Sequence, residues 1–203
     1  MMRLKNTWRK LLCMKHYALC IILLMACSAE NKYNTYYPVN FVFFTSLYPT
    51  SALTRAVGSP GMFCIVKPYT SQGVTHLKLT PNQGSWQASD LDLVMRTAIG
   101  NEKLSYTSMG AGRGLVIGHS NSFGLKAYDL QCPNCLEEYG AAKYELHWTK
   151  NGRYLECDKC KRVYNQDNDD GYIAENGHDG DKMLIQYRYV NFNSTEGRLV
   201  VHN

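Results

Sequence analysis

The chain has 203 residues, 22 Lys and Arg against 17 Asp and Glu, and a formal net charge of +5. Five of the basic residues, Arg3, Lys5, Arg9, Lys10 and Lys15, precede Cys27, where no acidic residue occurs, so the rest of the chain holds 17 charges of each sign. A neutral body lacks the clustered cations that phosphate neutralisation requires, which sets nucleic acid aside as a partner.

The basic N-terminus runs into an apolar stretch from Tyr17 to Ala26 and then Cys27. That is the plan of an export signal, with an n-region, an h-region and a small residue before the processing point. The apolar run is half the roughly 20 residues that a spanning helix needs. Met14 offers an alternative start, because Lys15 and His16 still supply a short basic region. The polar segment that follows, over 27–36, reads as a tether, and the folded domain is expected over 37–203.

With 15 Tyr and 16 Gly, the composition favours strands and turns. Val39 to Thr45 and Gly61 to Lys67 read as strands, and Thr75 to Thr80 as a weaker one. Leu91 to Thr97 fits either a short helix or a strand, and 70–113 reads as an elaboration. Gly114 to His119 and Leu125 to Gln131 form a hairpin that delivers the chain into Cys132. Tyr144 to Trp148 and Arg153 to Glu156 form a second around the turn pair Asn151-Gly152, and it ends at Cys157. Only Leu136 to Lys143 between them has helical character, and Met183 to Val190 with Arg198 to Val201 reads as a closing strand pair.

Cys132-Pro-Asn-Cys135 and Cys157-Asp-Lys-Cys160 are two C-x2-C motifs separated by 21 residues. Two thiols three positions apart on a tight turn can face one ion, and two such knuckles close a tetrahedral shell. Thiolate softness selects zinc, iron or an iron–sulfur cluster over magnesium or calcium. Two disulfides, or a redox dithiol at Cys132 and Cys135, are the competing readings for an exported chain. Cys64 lies in an apolar strand and reads as a buried hydrophobe, while His147 and His178 read as surface residues. Tyr164, Tyr172, Tyr187 and Tyr189 read as core aromatics around the site region. Asp167 to Gly171 resembles a calcium loop, but no register supplies both the sixth-position Gly and the twelfth-position Glu, so it reads as a turn. No nucleophile elbow, P-loop or dinucleotide fingerprint is present, and a binding or electron-transfer module is expected rather than a catalyst.

Two resemblances follow from these residues. Leu24-Met25-Ala26-Cys27 resembles the bacterial lipobox, which implies a lipid on Cys27, removal of residues 1–26, and attachment to a membrane of the bacterial cell envelope. From Gly114 to Val201 the order of features resembles a Rieske-type ferredoxin domain: an apolar hairpin into a Cys-Pro knuckle, a second hairpin into Leu155-Glu-Cys157, then Cys160-Lys-Arg-Val-Tyr164 and a terminal Gly-Arg-Leu-Val-Val. It implies an all-β, Rieske-like antiparallel β-sandwich. The metal-binding subdomain, about 130–165, would hold Cys132, Cys135, Cys157 and Cys160 as ligands. That family carries a 2Fe-2S cluster on one Cys and one His per knuckle. Here Cys160 stands in place of the second His, and Cys135 lies one residue beyond the first, whose place is Asn134. Local spacing is also similar to rubredoxin and zinc-ribbon sites, so zinc ranks first, ahead of a 2Fe-2S cluster and mononuclear iron. An envelope protein or redox partner is the expected partner, otherwise unspecified.

Overall fold

A computed structural model describes residue 33, residues 36–95 and residues 108–203. The signal segment, Cys27 and most of the tether lie outside the described residues, as do Arg96 and Thr97. The fold belongs to one unit, Tyr33–Asn203.

Among the described residues, antiparallel strands build three sheets of four, five and four strands. The five-stranded sheet comprises β2 (Met62–Ser71), β3 (Val74–Pro81), β4 (Asp92–Val94), β6 (Leu115–Ser120) and β7 (Gly124–Asp129). It is the middle layer, because consecutive residues feed two different cores. Cys64, Val66, Leu115, Ile117 and Ala127 point into one core, whereas Phe63, Ile65, Val116 and Tyr128 point into the other. Strands buried on both faces need continuous apolar runs, which is why Phe63 to Val66 and Leu115 to Ile117 do not alternate with polar residues.

The outer sheets alternate instead. In β1 (Val39–Phe44) the residues Val39, Phe41 and Phe43 are buried, and in β13 (Arg198–His202) so are Leu199 and Val201. Both strands lie in one sheet with β12 (Tyr189–Asn193) and β5 (Ser108–Met109), which closes the first core against the middle layer. Helix α1 (Ala52–Gly58) helps to seal it, burying Ala52, Leu53, Ala56 and Val57; its N-cap Ser51 accepts from Thr54 N at 3.2 Å. The third sheet has β8 (Leu146–Thr149), β9 (Tyr154–Cys157), β10 (Val163–Tyr164) and β11 (Ile173–Glu175), and its Leu146, Leu155 and Tyr164 share the second core with the middle layer.

Several elements refine or differ from the sequence expectation. Of the helix and strand readings of Leu91 to Thr97, the strand is found over Asp92–Val94, since β4 pairs with β3 through His76↔Val94, Leu77↔Leu93 and Lys78↔Asp92. Strand β2 runs on to Ser71 past Pro68, because β6 pairs only with Met62 to Val66 and the proline's missing donor faces an unpaired edge. Positive φ at Gln72 and Gly73 makes the tight turn that returns it as β3. The stretch before β12 is extended but bridges β7 only at Tyr128↔Gln186, flanked by Asp129 N→Ile185 O and Tyr187 N→Ala127 O. The second hairpin closes through four residues, 150–153, with positive φ at Lys150, Asn151 and Gly152, rather than through Asn151-Gly152 alone.

That turn docks the third sheet on the middle one. Asn82 donates to Gly61 O at 3.1 Å and Gly152 O at 3.3 Å and accepts from Phe63 N at 2.9 Å, while Trp148 Nε1 donates to Thr80 O at 2.8 Å. A Cβ on Gly152 would overlap the Asn82 carbonyl, at a φ of +79° that side chains already resist. Gly152→Ala should therefore lower unfolding stability by about 1–3 kcal/mol in urea titration, with the Asn82 contact as the part displaced.

Candidate metal centre

Cys132 follows directly from β7, with its N–H donated to Tyr144 O at 2.9 Å beside the bridge Gln131↔Glu145. Pro133 opens helix α2 (Pro133–Tyr139), a position where its missing N–H and fixed φ cost nothing. Gly140, in the left-handed conformation, ends it. The helix therefore begins three residues before the expected Leu136 and stops short of Lys143. The first motif is a helix start rather than a loop knuckle, with Cys135 in the first turn. The second motif is a turn after β9, with Lys161 N donated to Cys157 O at 2.8 Å.

These two segments bring all four sulfurs within 4.8 Å of one another. Two approaches at 3.6 Å cross between the motifs, Cys132 to Cys160 and Cys135 to Cys157. Bonds of about 2.3 Å to a tetrahedral ion require sulfur pairs about 3.8 Å apart, so the thiol spacing fits one ion. Cys132, Cys135 and Cys157 are fully buried, and Cys160 is partly exposed. The cluster contains neither histidine singled out in the sequence; His147 lies 3.6 Å from Asp158 and His178 the same distance from Asp181, both exposed.

Crowding separates Cys132, Cys135 and Cys157 electrostatically. Cys157 is held down at about 5, first by the Cys132 thiol and then by the backbone N–H groups of Cys160 and Lys159. Cys132 is pushed up by its hydrogen bond to Cys157 and by burial, and Cys135 is pushed up to about 12 by burial and then by Cys157. One early thiolate beside buried thiols is a ligand set waiting for a cation.

The surroundings supply the polar support that sequence reading missed. Tyr164, fully buried, sets its hydroxyl 3.4 Å from Cys132 Sγ and receives Asn134 Nδ2 at 2.8 Å. Asn134 also donates to Lys182 O at 2.9 Å and accepts from Lys182 N at 2.8 Å, so it clamps a distant segment over the site. Arg162 makes a bidentate pair with Asp181 at 2.6 and 2.8 Å and lies against Cys160, both of which hold its proton more firmly. Position alone hinted at two of these residues, Asn134 between the first cysteines and Arg162 two past the last. Of the four tyrosines considered, Tyr164 and Tyr187 are buried, whereas Tyr172 and Tyr189 are exposed. Asp167 is a turn anchor, accepting from Asn121 N at 2.8 Å and Asn121 Nδ2 at 2.6 Å. Cys64 is a fully buried core residue, as its setting in the sequence suggested.

Compared with models of protein families, with curated proteins and with solved structures, the chain matches none.

Metal entry must displace the protons of at least Cys132 and Cys135, because both thiols lie above their ordinary range. Apparent affinity should fall as pH falls, by about 100-fold or more per unit near neutrality for two displaced protons. Competition with a chromophoric chelator at pH 7 and pH 6 measures this directly.

Proposed function

We propose that the protein is a lipid-anchored envelope module with a Rieske-like β domain whose Cys132, Cys135, Cys157 and Cys160 hold one structural zinc ion. The observation that carries the metal reading is the approach of four sulfurs, from two separate segments, to within 4.8 Å. Four thiolates satisfy zinc in a closed structural site with no open position for water, which supports a scaffold or partner-binding role over hydrolysis. A 2Fe-2S core places sulfides between its irons and spreads the two thiolate pairs further apart, so the compact spacing favours a mononuclear ion. When bound, zinc supplies cross-linking of two loops and no redox chemistry. The chain's own residues do the rest: Asn134 and Tyr164 orient the first motif, and Arg162 offsets charge at Cys160.

Mononuclear iron is the second reading, favoured by the partial exposure of Cys160, which brings one ligand to the surface where an electron can leave. Thiol–disulfide exchange is weaker. Its helix-start setting at Cys132 and Cys135 is present, but it assigns no role to Cys157 and Cys160 lying against the same thiols.

The Rieske-like assignment is supported by three antiparallel sheets and by two Cys-bearing segments reached from consecutive hairpins. The lipid anchor and envelope location rest on Leu24 to Cys27 alone. An envelope partner would meet the surface near Cys160.

Elemental analysis and a visible spectrum of the full chain, purified anaerobically without added metal, test the metal. One zinc per chain and no colour are expected; iron with a reducible visible band would replace the structural reading with a redox one. For the anchor, Cys27→Ala should abolish incorporation of labelled fatty acid and move the protein from the detergent phase to the aqueous phase. Unchanged partitioning would remove the lipid anchor from the proposal.

A further inference from the structure

Two short sulfur contacts join the motifs to each other. Cys160 approaches Cys132, and Cys135 approaches Cys157, each pair at 3.6 Å. The four thiols also differ in access: Cys132, Cys135 and Cys157 are buried at zero exposure, while Cys160 reaches the surface. The Arg162 guanidinium lies against it and is itself fixed by Asp181. One partly exposed thiol with a buried thiol 3.6 Å behind it is the arrangement of an attacking and a resolving cysteine.

We infer that the four-thiolate site is also a peroxide-oxidised modification site, in which Cys160 reacts first and Cys132 resolves it to a disulfide joining the two motifs, with release of the metal. The inference rests on the metal reading for its last step only. In the first step the Cys160 sulfur attacks hydrogen peroxide, the O–O bond breaks, and the sulfur is oxidised by two electrons to the sulfenic acid. Hydroxide leaves and takes a proton to become water. In the second step the Cys132 thiolate attacks that sulfur, the S–O bond breaks, and a second hydroxide leaves as water. Two thiolates, one peroxide and two protons become one disulfide and two waters. Two of four ligands are then gone, and Cys135 and Cys157 alone no longer close a shell.

The direction of pairing follows from geometry. Sulfenic acid at Cys160 places the electrophilic sulfur beside Cys132, and the product ties the β7–α2 junction to the turn after β9 instead of closing either motif on itself. Cys64 serves as an internal control, since burial in the first core both shields its thiol and pushes its ionisation up.

The test uses the full chain with its metal content measured first. It is exposed to graded hydrogen peroxide and quenched by alkylation, then mapped by peptide fragmentation while a chromophoric chelator records released metal. Cleavage at Lys159 separates Cys157 from Cys160, so the products are distinguishable. The expected result is a Cys132–Cys160 bridge as first product, one metal released per bridged chain, reduced Cys64, and recovery after dithiol reduction with metal. A first bridge within either motif overturns the inference, as does loss of Cys64 alkylation in step with Cys160, which would mean unfolding. The double variant Cys135→Ser with Cys157→Ser keeps the reacting pair while removing half the ligands, and its failure to form the bridge overturns the pairing independently of metal. A wild-type chain isolated without metal that still forms the bridge supports the pairing and removes the metal reading instead.

Discussion

Burial of both faces of the middle sheet is the constraint on which the site depends. Cys132 lies three residues beyond the end of β7, so the position of the first thiol pair is inherited from the register of β6 and β7. The second pair belongs to β9, which has no backbone pairing with that sheet and reaches it only through side chains. Phe63, Ile65, Val116, Tyr128 and Leu130 on one side and Leu146, Leu155 and Tyr164 on the other form the apolar contact. Contacts of this kind orient a layer only loosely, because the hydrophobic effect is not directional. Directional bonds join the layers where the chain leaves β7, through Cys132 N to Tyr144 O at 2.9 Å and Leu146 N to Leu130 O at 2.8 Å, and further out through Trp148 to Thr80, Asn82 to Gly152 and the Lys67–Glu145 ion pair at 2.6 Å. A shared ion would add a tie between the first motif and the turn after β9, which those bonds do not reach.

Concentrating four ionisable sulfurs in a mostly buried volume has an electrostatic cost, and the neighbourhood is arranged to offset it. N–H groups of the second motif point at Cys157, and Arg162 lies against Cys160. The Tyr164 hydroxyl meets Cys132 while the tyrosine's own ionisation is pushed up by burial and by that cysteine, so it acts as a donor. A different buried acid, Asp129, follows the same logic next door. It accepts from Ala111 N at 2.6 Å, Gly112 N at 2.9 Å, Gln131 N at 2.8 Å and Tyr187 Oη at 2.7 Å, yet burial still raises its carboxyl. That knot ties three chain segments together immediately before Cys132, and it makes the start of the first motif rigid.

What could be read in the sequence was local. Each C-x2-C pair announces itself within four residues, and the strands leading to them carry unbroken or alternating apolar runs that state their periodicity openly. The starting point of α2 was also written there, since Pro133 between a cysteine and a helix-forming run is a first-turn signal; weighting Leu136 to Lys143 by composition missed it. Helix α1 is only seven residues and has little periodicity to show. The partners in the clamp were not legible, because Asn134 meets Lys182 across 48 residues and Arg162 meets Asp181 across 19. Asn134 and Arg162 stand out by their place beside the cysteines, but nothing local distinguishes Lys182 or Asp181 from ordinary polar surface.

The Asn134 contact also sets which residue of the first motif faces the other sulfurs. A ligand at position 134 would have to turn its polar end toward them. Asn134 instead spends both ends of its amide on the backbone of Lys182 and on Tyr164, leaving Cys135, one residue further into the helix, to face the other sulfurs. One residue of displacement rotates a helical side chain by about 100°. With a thiol at position 135 turned toward the other sulfurs, position 134 is left to hold the overlying segment without disturbing the strand that presents Cys132.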